Sequence, residues 1–146
     1  MSARDVAQYI IDQAGPMTSM KLQKLVYYSQ AWTIVWADDV LFIDPIEAWD
    51  NGPVVRDLWV ANKGTFRISE IPDGDSDKLS PEQKLNIDSV LNFYGDKDAQ
   101  WLSDLTHMER PWREAFEQGR NTQLDLETIS EYYSSIEPEV EAAGAG

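Results

Sequence analysis

The chain has no cysteine, and that absence removes disulfides, thiolate metal sites and cysteine nucleophiles together. It has a single histidine. No two-histidine metal face can form, and a Ser-His-Asp triad would have to be built from His107. A Gly-rich phosphate loop is missing, as is a serine in a nucleophile-elbow setting. No apolar run approaches the roughly 20 residues that span a bilayer, and no apolar segment follows a basic start. Basic residues are also scarce: 12 Lys and Arg face 26 Asp and Glu, a formal charge of -14. Such a charge opposes the phosphate contacts that dominate nucleic-acid binding. These absences predict a cytoplasmic, soluble, non-enzymatic protein with no cofactor or metal, for which membrane and nucleic acid are poor partners.

What is present is material for one core. Hydrophobic residues make up 42% of the chain, including six Trp, six Tyr and four Phe, enough for a domain of this length to fold alone. The charge is uneven. Residues 1–70 carry six basic and nine acidic side chains, and residues 71–146 carry six and 17. The acidic second half serves solubility or steers a basic protein partner.

The organising stretch is Met20–Trp36, long and free of Gly and Pro. Leu22, Leu25, Val26, Ser29, Thr33 and Trp36 fall on one helical stripe, and Met20, Tyr27, Tyr28, Ile34 and Val35 widen it. A core helix is predicted, capped by Thr18 or Ser19, with Lys21, Gln23, Lys24 and Gln30 as its wet edge. Ala3–Ala14 reads as a short amphipathic helix ended by Gly15-Pro16. The pair could be named helix-turn-helix, but the second helix is apolar where a recognition helix would show basic and amide groups.

Val40–Ile43 and Ile46–Trp49 read as short extended runs that can form a small hairpin. Asp50-Asn51-Gly52-Pro53 is the densest turn signal, and Pro53 is predicted to open a helix running to Lys63. Thr65–Ile71 alternates and can add a strand. Asp73–Asp77 suggests a calcium loop, but its Gly is misplaced and the closing Glu is absent, so it reads as an acidic loop. Ser80-Pro81-Glu82-Gln83 is a capping-box start. Helices through Leu85–Tyr94, Trp101–Leu105 and Pro111–Phe116 follow, and a last one carries Leu126, Ile129, Tyr132 and Tyr133. The expected architecture is mainly α: one compact multi-helix domain, residues 1–136, around a central helix with a small hairpin or short sheet. Residues 137–146 are expected to be a disordered tail.

Three blocks stand out in order: Lys21–Trp32 (KLQKLVYYSQAW), Ile46–Val55 (IEAWDNGPVV) and Thr106–Trp112 (THMERPW). Together they resemble the Panacea domain, the SocA-like antitoxin family also seen in phage-associated proteins. The resemblance runs over roughly Val6 to Phe116, with Thr33 standing where relatives often carry His. It implies a compact helical domain that neutralises a co-encoded toxin by direct contact. A DNA-binding regulator, or a proteolytic adaptor acting on a toxin, is the alternative.

Within these blocks, Gly52-Pro53 and Pro111-Trp112 read as scaffold, because turn and helix-start chemistry explains them. Trp49 reads as packing. His107 reads as a histidine bonded to backbone at a helix junction, with Asp104 and Glu109 near enough in sequence to orient it. For partner contact the residues of interest are Tyr27, roughly opposite the core stripe, with Gln23, Lys24, Gln30 and Ile34 beside it. Asp50 and Asn51 border that strip if Trp49 packs on the same helix. The rival account covers Tyr27 with the C-terminal helix through Tyr132 or Tyr133. Any aromatic found exposed becomes a candidate contact.

Overall fold

Helix α2 (Ser19–Ala37) is the axis of the molecule in the computed structural model, which describes residues 1–145 and the side chains of residues 1–137. Thr18 caps it by accepting the Lys21 N–H, and Asp38 ends it in a left-handed conformation. Neighbours surround it: α1 (Ala3–Ala14), α4 (Pro81–Tyr94), α5 (Ala99–Met108) and α7 (Leu126–Ala145) all pack on its sides. Every residue from Leu22 to Ile34 is buried. The family of helices is completed by α3 (Arg56–Asn62) and α6 (Arg110–Glu117).

Several helix starts obey local chemistry. Ser80 caps α4 in a full capping box with Gln83, and Asp98 caps α5 through the Trp101 N–H. The helix at Ala3–Ala14 has the expected bounds. Pro111 sits in the first turn of α6, where its missing N–H costs no hydrogen bond.

The strands differ from expectation. Strand β2 (Ile46–Trp49) pairs antiparallel with β3 (Gly52–Val55), in the register Ile46 with Val55 and Trp49 with Gly52. Pro53 is therefore in a strand, and the following helix begins only at Arg56. The turn signal at Asp50-Asn51 is used to reverse the chain, and Val54 and Val55 extend the strand. Residues 40–43 do not join this hairpin; Leu41 and Phe42 are held by α2. Strand β1 (Met17–Thr18) pairs with β4 (Arg67–Ile68) in a second, smaller sheet. The hairpin gains an outer rail from the segment before α7. Ala48 N–H donates to Thr122 O and accepts at its carbonyl from Asn121 N–H, both at 2.8 Å, and Leu124 N–H donates to Ile46 O at 2.8 Å.

Of the predicted wet edge of α2, Lys21 is half-buried with its ammonium on Gly95 O at 2.7 Å, and the other three residues are interior. Gln23, Lys24 and Gln30 are 3%, 1% and 1% exposed, because their polar ends are consumed by backbone rather than water. Gln23 donates to Val55 O and accepts from Val55 N–H, at 3.1 and 2.9 Å, acting as a strand neighbour to β3. Gln30 donates to Phe42 O and accepts from the Leu41 and Phe42 N–H groups. These amides satisfy buried backbone that has no ladder of its own. The tail expected at 137–146 lies, beyond Glu137, outside the residues whose side chains are described. No helix among the described residues is long and apolar enough to cross a membrane.

Candidate functional site

The hairpin turn is fixed from below by three side chains. Trp112 Nε1 donates to Trp49 O at 2.9 Å, His107 Nε2 lies 2.7 Å from Asp50 O, and Ser103 Oγ donates to Asn51 O at 2.6 Å. Consecutive carbonyls of the turn are thus each held by α5 or α6. His107 Nδ1 meets Ser103 O, and its ring lies 4.1 Å from that of Trp112. Asp104 and Glu109 do not orient it: Asp104 accepts from Gln100, and Glu109 faces tyrosines.

On its other side the turn meets α2. Gly52 has φ +119, and a Cβ there would sit 2.6 Å from Lys24 Cε and 2.8 Å from Thr106 Oγ1. Only glycine leaves room for the lysine to run beneath the turn. The Lys24 ammonium reaches Pro53 O at 3.3 Å, its one polar partner among the described residues. Burial lowers its pKa to about 8.

Above Lys24 the surface opens into a cleft of about 480 Å³. Its walls are Ser19, Met20 and Gln23 from α2, Trp49 and Val54 from the hairpin, and Trp59 from α3; Asp50, Asn51, Arg120 and Asn121 form its rim. Trp49 and Trp59 meet edge to face with centroids 5.4 Å apart, and Trp59 keeps 37% of its surface exposed. Arg120 pairs with Asp50 at 3.0 Å. The charged lining is therefore Lys24, Arg120 and Asp50, a locally positive spot on a strongly acidic chain.

The proposed contact residues separate accordingly. Gln23, Asp50 and Asn51 come together at the cleft, with Trp49 beside them. Tyr27, Gln30 and Ile34 do not line it, and they are buried, as Gln23 is at the floor of the cleft. Tyr27 lies under α7, its hydroxyl 2.9 Å from that of Tyr133, so the strip drawn through it is interior. Tyr133 and Tyr28 both donate to Glu109 Oε1, at 2.8 and 2.7 Å. Burial pushes the Glu109 carboxyl up to about 7, partly offset by these bonds, and raises the Tyr27, Tyr28 and Tyr133 hydroxyls well above the usual range. Tyr94 stacks on Tyr28 and accepts from Trp32 Nε1. This side is a closed aromatic core.

Arg120 and Ser103 carry roles that residue patterns did not show; Lys24 was visible as one of the polar residues beside Tyr27, but its burial beneath the turn was not, and Glu109 was visible only as a neighbour of His107. Among the described residues no cluster of His, Asp and Glu could hold a metal ion.

No curated protein and no solved structure matches the chain. A family model described as "Antitoxin SocA-like, Panacea domain" matches residues 22–113, a span that takes in α2 from Leu22, the hairpin, α5 and the first residues of α6. The chain belongs to the SocA-like antitoxin family and carries its Panacea domain.

Proposed function

We propose that this chain is an antitoxin that neutralises a toxin encoded beside it by direct protein contact, and that the cleft at the hairpin turn is where the toxin docks. The observation that carries this reading is the rigid presentation of the turn. The carbonyls of Trp49, Asp50 and Asn51 are each fixed from α5 and α6, while the Asp50 and Asn51 side chains remain exposed beside a half-open tryptophan pair. A surface already ordered before binding loses little conformational freedom on association. Exposed Trp next to a polar rim is the composition of interface anchors.

Asp50, Asn51, Trp49 and Trp59 are the contact residues of this proposal, with Gln23 holding Val55 beneath them, and its setting is bacterial or phage cytoplasm. The charge of -14 favours a toxin with a basic surface and accelerates its encounter. Regulation of DNA is the less favoured activity, since the same charge opposes phosphate contacts at physiological salt.

Co-expression tests the proposal. The neighbouring reading frame should arrest growth alone and be tolerated with this chain, and the two proteins should co-purify. Toxicity undiminished by co-expression would refute it. A shift of the chain's own promoter fragment at physiological salt would favour the regulator instead.

A further inference from the structure

Lys24 is a charge in an expensive position. The residue is 1% exposed, and among the described residues no carboxylate lies within ion-pair distance and its three N–H bonds have one acceptor, Pro53 O at 3.3 Å. Buried ammonium groups are ordinarily paired or fully hydrogen-bonded. The residue nevertheless borders an open cleft, so an acceptor seated there meets the ammonium once the lysine side chain turns from Pro53 O toward the cleft. Arg120 stands at the rim of the same cleft, and the first turn of α2, Ser19 and Met20, contributes the positive end of a long helix. The only acidic group in the lining, Asp50, is already matched by Arg120.

Resting on the docking reading above, we propose that the cleft is a carboxylate receptor: an Asp or Glu side chain of the toxin enters alongside the Trp49–Trp59 pair and completes the hydrogen bonding of Lys24. The choice of a single carboxylate over a phosphate or a polyanion follows from charge. A chain of -14 repels a free polyanion, whereas a basic protein surface carrying one acidic side chain is attracted as a whole and delivers its carboxylate locally. The aromatic walls suit the methylene stem of such a side chain.

The experiment has two arms on the intact chain. In the first, Lys24→Met is compared with wild type for binding to the co-encoded toxin and for thermal stability. The expected result is an affinity loss of at least about tenfold with a melting temperature equal to or above wild type, since truncating one partner of a buried charge pair acts mainly on dissociation. Binding within twofold of wild type would overturn the proposal while leaving the antitoxin reading intact. In the second arm, the Lys24 Cε and Nζ resonances are followed during titration with N-acetylglutamate α-amide, N-acetylglycine and N-acetylglutamine amide. Saturable shifts with the first and none with the last support the site even if the neighbouring protein proves not to be the partner. Response to N-acetylglycine alone would replace the side chain with a chain terminus and overturn the proposal as stated, and no response to either carboxylate would overturn the receptor altogether.

Discussion

The two flanks of α2 each bury a side chain of the charged class, Glu109 on one and Lys24 on the other, with no counter-ion among the described residues, and they treat it in opposite ways. Glu109 sits in a closed aromatic shell and receives two tyrosine hydroxyls on one oxygen. Lys24, four residues before Tyr28 on the same helix, has one carbonyl and an open cleft above it. The closed flank uses its buried polar groups to tie helices α2 and α7 together through Tyr28, Tyr133 and Glu109. The open flank leaves bonding capacity unspent beside a cleft. A buried charge with incomplete bonding beside solvent is therefore a different object from one in a sealed network, even when both titrate abnormally.

The largest effect that would sharpen this contrast is expected on the closed side. Glu109→Ala removes the acceptor of Tyr28 and Tyr133 and leaves a cavity, and should lower unfolding free energy by about 3 to 5 kcal/mol in urea melts. A loss under about 1 kcal/mol would mean the tyrosines re-pair among themselves, and the flank is not locked through this residue.

The same group sets a pH window. Its carboxyl is raised by burial from 4.5 to about 7, so between those values the native state holds more protons than the unfolded chain. Stability therefore falls as pH rises through the window and levels off above it, by roughly 3 kcal/mol in total. Glu109→Gln should flatten that slope relative to wild type. Parallel profiles for the two proteins would show that the carboxyl titrates normally.

On the open side, Gly52→Ala combines a left-handed backbone with a Cβ at 2.6 Å from Lys24 Cε. The expected loss is about 2 kcal/mol, together with weaker toxin binding because the lysine is displaced. Calorimetry of the variant and of the Gly52→Ala, Lys24→Met pair checks the cause. The pair should recover part of the loss, and strict additivity would locate the strain in the backbone instead.

Lys24→Met alone has the smallest effect, and of the opposite sign. Burial holds the lysine pKa near 8 rather than 10.5, so at neutral pH the folded state carries the cost of a desolvated charge. Replacing it should raise stability by about 1 to 2 kcal/mol once the lost carbonyl bond is subtracted. The wild-type rise in stability between pH 8 and pH 10.5 should vanish in the variant, where the unfolded chain no longer binds the extra proton.

The sequence made the helices legible because their signals are local. Apolar spacing placed α1 and α2, and Thr18, Ser80 and Asp98 cap where side-chain chemistry says they should. Burial of Gln23, Lys24 and Gln30 was not legible. A polar residue at helical spacing reads as solvent-facing, and the backbone groups that bury these three lie 11 to 32 positions away. Pro53 misled for a related reason. Its helix-start preference is real, but the register of Trp49 with Gly52 places it in a strand. Of the cleft, Asp50 and Asn51 were visible as a turn and Gln23 and Lys24 as neighbours of interest; the burial of Lys24 beneath the turn and the place of Arg120 opposite required the chain to be folded.

The most direct test pairs one residue from each flank. For Lys24→Met and Tyr27→Ala, toxin affinity of the folded protein and melting temperature are measured side by side. The account predicts a crossed result: Lys24→Met loses at least about tenfold in affinity with no loss of melting temperature, while Tyr27→Ala melts earlier, by several kcal/mol of lost stability, with affinity intact. Affinity lost through Tyr27 and retained through Lys24 would contradict it.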